Sequence, residues 1–154
     1  MVGLGLHCNI HQGRPRVVGV LIRRNAAGEL KGAQEFSHLS DAQENFPLQL
    51  KNLASALESR LPMLGADGIV VRTMDYSPAI KRQQLAQHSM VAGVLVASSR
   101  RHCDLTRTLT GRDIGSTLGS SKAAAEAQAA NLVGDALREA GAAALAALSL
   151  AEHC

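Results

Sequence analysis

Each of the three cysteines follows a histidine, as His7-Cys8, His102-Cys103 and His153-Cys154. Cysteine and histidine together are the ligands zinc takes in a tetrahedron, so the pairs raise the question of a soft-metal site. Adjacent residues on a strand point to opposite faces, however, and each pair offers only one ligand per face. No CxxC spacing accompanies them, and no metal is expected; buried thiols and capping histidines are the plainer reading. Cys8 with a histidine base is also a conceivable nucleophile, but nothing around the thiol supports that chemistry.

The basic residues suggest a different chemistry. They occur as pairs at Arg23-Arg24, Lys81-Arg82 and Arg100-Arg101, as Arg14 and Arg16 in the first turn, and as Arg107, Arg112 and Lys122 around a Gly/Ser-rich loop. With a formal charge of +3 the chain suits an anionic partner. The loop "GRDIGSTLGSSK" ends in Ser-Lys, but it lacks the glycine-lysine step and following hydroxyl of a P-loop, which argues against nucleotide hydrolysis. Aromatic residues make up 2% of the chain, only Phe36, Phe46 and Tyr76, so platforms for stacking bases are nearly absent. A nucleic acid would have to be held by its phosphates, and whether DNA or RNA is left open.

The elements that must position these residues follow from the hydrophobic pattern. "VGLGLHC", "VVGVLIRRN" and "LKGAQEFSHL" read as three strands with short turns, an antiparallel meander in which Gly3 and Gly5 let another backbone come close. Ser40 and Asp41 are candidate caps for a leucine-rich amphipathic helix that ends near Leu64, with Pro47 near its first turn. "GADGIVVRTMD" contains a buried parallel strand. Ser77 and Pro78 are expected to open a second helix through Arg101. "CDLTRTLT" is a fifth strand, "GRDIGSTLGSS" a loop, and an Ala-rich helix runs from Lys122 to the end with a break expected at Gly141. The order β-β-β-α-β-α-β-α implies one α/β domain over residues 1–154, a mixed five-stranded sheet flanked by helices. At 154 residues it can bury a core without disulfides. The N-terminal segment has no signal-peptide pattern and no run is long enough to span a membrane, so a cytoplasmic protein is expected.

This layout is that of the RNase H-like fold, and the second half resembles the RuvC family of Holliday-junction resolvases. "HSMVAGVLVASS" is similar to a small-residue helix of that family. The loop and helix "TLTGRDIGSTLGSSKAAAEAQAANLVG" place Gly119, Lys122, Gln128, Leu132 and Val133 at comparable positions, and "REAGAAALAAL" is similar to the terminal helix without its aspartates. The resemblance implies a nuclease site in which two divalent metals, about 4 Å apart, are held by carboxylates. These stand on the first strand, at the end of the fourth, and on the last helix. Here the matching positions carry His7, or Cys8 if the register slips; Val71 or Arg72; and Ala140, Ala142 or Ala143.

The chain therefore resembles a divergent member without the catalytic acids, with His7, Arg72 and Ala143 as degenerate positions, binding structured nucleic acid without cutting it. On the resemblance Lys122 contacts phosphate, and Arg14, Arg16, Arg107 and Arg112 extend the basic surface. An arginine at the metal position would itself touch phosphate. The alternative is a Mg²⁺- or Mn²⁺-dependent nuclease with a displaced site made of Asp75, Asp135 and Glu139; otherwise no cofactor is expected. A third reading is a protein-interaction module using a sheet edge or the last helix. The resemblance also implies a homodimer.

Overall fold

A computed structural model describes all 154 residues. Strands β1 (Val2–His11), β2 (Arg14–Arg24) and β3 (Leu30–Leu39) form the meander, followed by α1 (Phe46–Leu64), β4 (Gly68–Arg72), α2 (Arg82–Arg100), β5 (Thr106–Leu109), α3 (Gly111–Thr117), α4 (Lys122–Val133) and α5 (Arg138–Glu152). The sheet order is β3-β2-β1-β4-β5. The β1–β2 and β2–β3 pairings are antiparallel, whereas β4 runs parallel to both β1 and β5. This is the mixed five-stranded sheet expected from the order of elements. No helix is long and apolar enough to cross a membrane.

The central strand β1 sorts its residues by parity. Leu4, Leu6 and Cys8 enter one core with Val71 of β4 and the leucines of α1 and α2. Gly3 and Gly5 face the other layer, whose core is built from Val20, Val70, Ile114 and the alanines of α5. A Cβ at Gly5 would run into the backbone of α5 at Ala140 and Ala144, and one at Gly3 would come within 2.5 Å of the Leu148 amide nitrogen. Side-chain-free positions on β1 and alanines on α5 thus let the helix lie directly on the sheet. That close approach brings the first turn of α5 to the C-terminal end of β1.

Four boundaries differ from expectation. The cap of α1 is Asn45, whose side chain accepts the Leu48 amide at 3.0 Å; Asp41 instead closes a turn by accepting the Gln43 amide at 2.9 Å. Ser77 and Pro78 form an isolated turn closed by Ile80 N–H to Ser77 O, and α2 begins only at Arg82. The loop after β5 contains a helix, α3, started by a capping box in which Thr110 and Asp113 satisfy each other's backbone amides. The terminal helix breaks at Gly134, which adopts φ 89°, ψ 159°, followed by a 3₁₀ turn over Asp135–Leu137. Gly141 lies inside α5, where a Cβ would press on Val133 and Ala129 of α4, so its role is close packing.

Candidate functional site

The parallel register pairs His7 with Arg72 across β1 and β4. Both belong to the α5-facing parity, at the C-terminal edge of the parallel strands. In this register His7 rather than Cys8 takes the half-buried position beside α5, because Cys8 is buried in the opposite core. Likewise Val71 lies in that opposite core and Arg72 faces the site.

Around these two residues the helices supply a chain of ion pairs. His7 Nε2 meets Glu139 Oε2 at 2.5 Å. Arg72, with its side chain only 4% exposed, places Nη2 at 2.7 Å from Glu126 Oε1 and 3.6 Å from Glu139 Oε1. Glu126 is shared with Arg138 at 3.7 Å, and Arg138 in turn pairs with Asp135 at 2.7 Å. Lys122, at the first position of α4, binds Asp75 at 2.7 Å, and Asp75 also accepts the Arg112 amide at 3.3 Å. Gly111 opens α3 within this cluster: a Cβ there would stand 2.8 Å from Asp75 Oδ2 and 2.9 Å from Arg72 Nη2.

The electrostatics follow from these contacts. The hydrogen bond from His7 holds the Glu139 carboxyl down at about 2 against the opposing effect of burial, with the charges of His7, Arg72 and Lys122 adding to it. Burial pushes the Asp75 carboxyl up, but hydrogen bonds from Lys122 and the Arg112 amide outweigh it and leave the group below its ordinary value. His88 of α2 is lowered by burial and by the neighbouring charge of His7. Burial pushes the Cys8 thiol up to about 12, which disfavours a thiolate nucleophile.

Two clefts flank the cluster. The larger, about 550 Å³, is lined by His7, Asn9, Arg16, Gln34, Arg138 and Glu139 among others, between the sheet and the start of α5. The smaller, about 260 Å³, lies toward α2 and is lined by His7, Cys8, Arg72, Thr73, His88 and Ser89 among others.

The sequence-derived candidates are distributed unevenly over this geometry. His7, Arg72, Glu139, Asp75 and Lys122 converge, and Arg16 borders the larger cleft. Ala143 is buried one layer below His7, against Gly5, and the α5 residue that touches His7 is Glu139. Ala140 borders the larger cleft and Ala142 is buried in the helical layer. Asp75, Asp135 and Glu139 do not form one cluster; each has its own basic partner. Arg14 turns its Nε to the Ser40 carbonyl at 3.0 Å, and Arg107 on β5 turns to the Thr106 carbonyl at 3.1 Å. Glu126 and Arg138, central to the network, were not among the candidates. The available signal was local: Glu126 stands four residues after Lys122, and Arg138 three after Asp135, spacings that share a helical face. Of the His-Cys pairs, Cys8 is buried in the core, while His102, buried Cys103 and exposed Cys154 border one open cleft, and no three His, Cys, Asp or Glu side chains are grouped to hold a metal ion.

The two-metal centre that the resemblance implies does not fit these residues. Hard divalent cations need several carboxylate oxygens free to coordinate. Here a buried guanidinium stands between Glu126 and Glu139, an imidazole holds the second oxygen of Glu139, and Lys122 holds Asp75. A metal would have to displace fixed cations to reach any of them.

No family model matches the chain, and no curated protein matches it in sequence. Among solved structures it is similar to Thermus thermophilus RuvC, with a TM-score of 0.72 and 12% identity over 99% of this chain and 96% of that one. It is also similar to T. thermophilus RuvC in complex with a Holliday junction substrate, with a TM-score of 0.69, 11% identity and the same coverage of 99% and 96%. The chain therefore has the RuvC-like form of the RNase H-like fold over its whole length.

Proposed function

We propose that this chain binds structured nucleic acid through its phosphates and leaves it uncut, as a homodimer. The observation that carries the reading is the guanidinium of Arg72, buried beside His7 at the C-terminal ends of β1 and β4 on a RuvC-like sheet. Glu126 and Glu139 hold this guanidinium in place, and its unpartnered Nη1 is the donor left for a phosphate oxygen, where the resemblance implies carboxylates and metal ions. The larger cleft supports the same reading, because Arg16 and Arg138 stand on its two sides, one from β2 and one from α5. A four-way DNA junction is the natural first probe, since the similar Thermus protein was solved with a Holliday junction substrate.

Exposed arginines without carboxylate partners should contribute most to phosphate binding, and Arg16 and Arg112 are of this kind. The test is fluorescence anisotropy of labelled junctions with Arg16→Glu and Arg112→Glu. Each lost phosphate contact should lower the slope of log affinity against log salt by about 0.9, equally for junctions of unrelated sequence. Wild-type affinity and slope in the double variant would overturn the assignment of this face.

A further inference from the structure

The smaller cleft carries chemistry that the ion-pair network does not use. Two of the residues that line it each carry a buried polar atom without a hydrogen-bond partner, Arg72 Nη1 and His7 Nδ1. They belong to residues paired across β1 and β4, and both residues line the cleft. An unpartnered buried polar atom costs about 1–3 kcal/mol, more when charged, so neighbouring orphans mark a place where a polar group belongs. Thr73, His88 and Ser89 complete the rim. The Ser89 hydroxyl donates to the Leu85 carbonyl at 2.9 Å, and His88 contributes a half-buried imidazole. At about 260 Å³ the cleft is small, and it falls below the roughly 300–1,000 Å³ of ordinary small-molecule pockets.

We propose that this cleft is a pocket for one tetrahedral oxyanion, a single phosphoryl group held by Arg72, His7 and His88. Guanidinium and imidazolium groups are strong donors to phosphate oxygens, and a cleft of about 260 Å³ readily admits a phosphoryl group. Rim chemistry makes the binding dependent on protons. The titratable and charged groups lining the pocket are His7 and Cys8 from β1, Arg72 from β4 and His88 from α2, while Asp75 acts on them only through the charge of Arg72. Lys122 and Glu126 from α4 and Glu139 from α5 stand behind them. The carboxylates near Arg72 offset its charge, so an entering anion is favoured when the imidazoles are protonated. His88 is depressed by burial and by His7, and an anion in the cleft would raise it again.

On the nucleic-acid reading above, from which the natural occupant follows, that occupant is a phosphate of the bound strand, either internal or at a strand end. The pocket is tested first without nucleic acid, with sodium sulfate, whose charge is constant over the range used. Imidazole NMR signals of His7 and His88 should shift saturably with sulfate and not with chloride at equal ionic strength. Binding should be about tenfold tighter near pH 6 than near pH 8, the effect of one proton gained. His88→Ala, on a half-exposed helix surface, should weaken sulfate binding several-fold, and Arg72→Gln should abolish it if it folds.

Absence of saturable shifts, equal shifts with chloride, or wild-type binding in His88→Ala would overturn the pocket. Competition by sulfate is then measured against a 5′-phosphorylated oligonucleotide, its 5′-hydroxyl twin and a closed-end junction. Competition confined to the first assigns a strand end, and competition against all three assigns a backbone phosphate. Junction binding with no sulfate competition against any of the three nucleic acids and no effect of His88→Ala overturns the pocket as a phosphate site and leaves the nucleic-acid reading standing. Sulfate binding without junction binding does the reverse.

Discussion

Replacing Arg72 by methionine tests whether its guanidinium is a fixed structural counter-charge. The side chain is 4% exposed and lies 2.7 Å from Glu126, itself only 14% exposed, and 3.6 Å from Glu139. Removing one partner of a buried pair costs about 3–5 kcal/mol because the other charge is left uncompensated. Glu126 keeps Arg138 at 3.7 Å and Glu139 keeps His7 at 2.5 Å, so the expected loss is at the low end, about 3 kcal/mol. With a urea m-value of about 2 kcal/mol/M, the unfolding midpoint should fall by roughly 1.5 M at neutral pH. Adding Glu126→Gln removes the orphaned charge and should recover at least about 1 kcal/mol in a double-mutant cycle. A single variant within about 0.5 kcal/mol of wild type would refute the reasoning, and so would a cycle with no coupling.

Gly5→Ala drives a Cβ into the backbone of α5, which cannot rotate away, so the loss should exceed the roughly 1–3 kcal/mol of ordinary overpacking. Gly93→Ala, in α2 with nothing within 4 Å of the added carbon, should be neutral or stabilising, both variants being read from the urea unfolding midpoint. Glu139 has a folded-state carboxyl held at about 2, below its unfolded value of 4.5. Its stabilisation is therefore present above the unfolded value and lost as pH falls from about 4.5 toward about 2. Glu139→Gln should flatten that part of the stability–pH curve, by less than the full shift implies because the side chain is 37% exposed. Of the three thiols, Cys154 alone should react quickly with a disulfide reagent near pH 8. Cys8 and Cys103 should wait for unfolding, since both are buried and raised.

The fold was legible because its strongest signals are local. Turn residues separate the three opening strands, and the leucines of α1 recur at helical spacing, so the order of elements follows without long-range information. Gly3 and Gly5 announced a close backbone approach, though only α5 with its alanines shows what approaches. The register of β1 was harder. "VGLGLHC" is buried on both faces, and alternation that tells inside from outside disappears in such a strand. His7 could be set against Cys8 only by seeing Leu4, Leu6 and Cys8 share one core. Short helices were missed for a related reason: the Thr110–Asp113 capping box lies among glycines and serines that read as a loop. Between Gly134 and Gly141 the sequence could not choose, since the first is needed for its positive φ and the second for packing on Ala129. The ion-pair network was the least legible part. Arg72 and Glu126 are 54 residues apart, and only the meeting of β4 with α4 makes them partners.

The most direct test of the account is the salt dependence of binding to a labelled four-way DNA junction, with Mg²⁺ present and the strands analysed afterwards. The account predicts binding that weakens steeply and linearly in log–log form with salt, from DNA recovered intact. Mg²⁺-dependent cleavage that disappears in Glu139→Ala, or no junction binding near physiological salt, would contradict it.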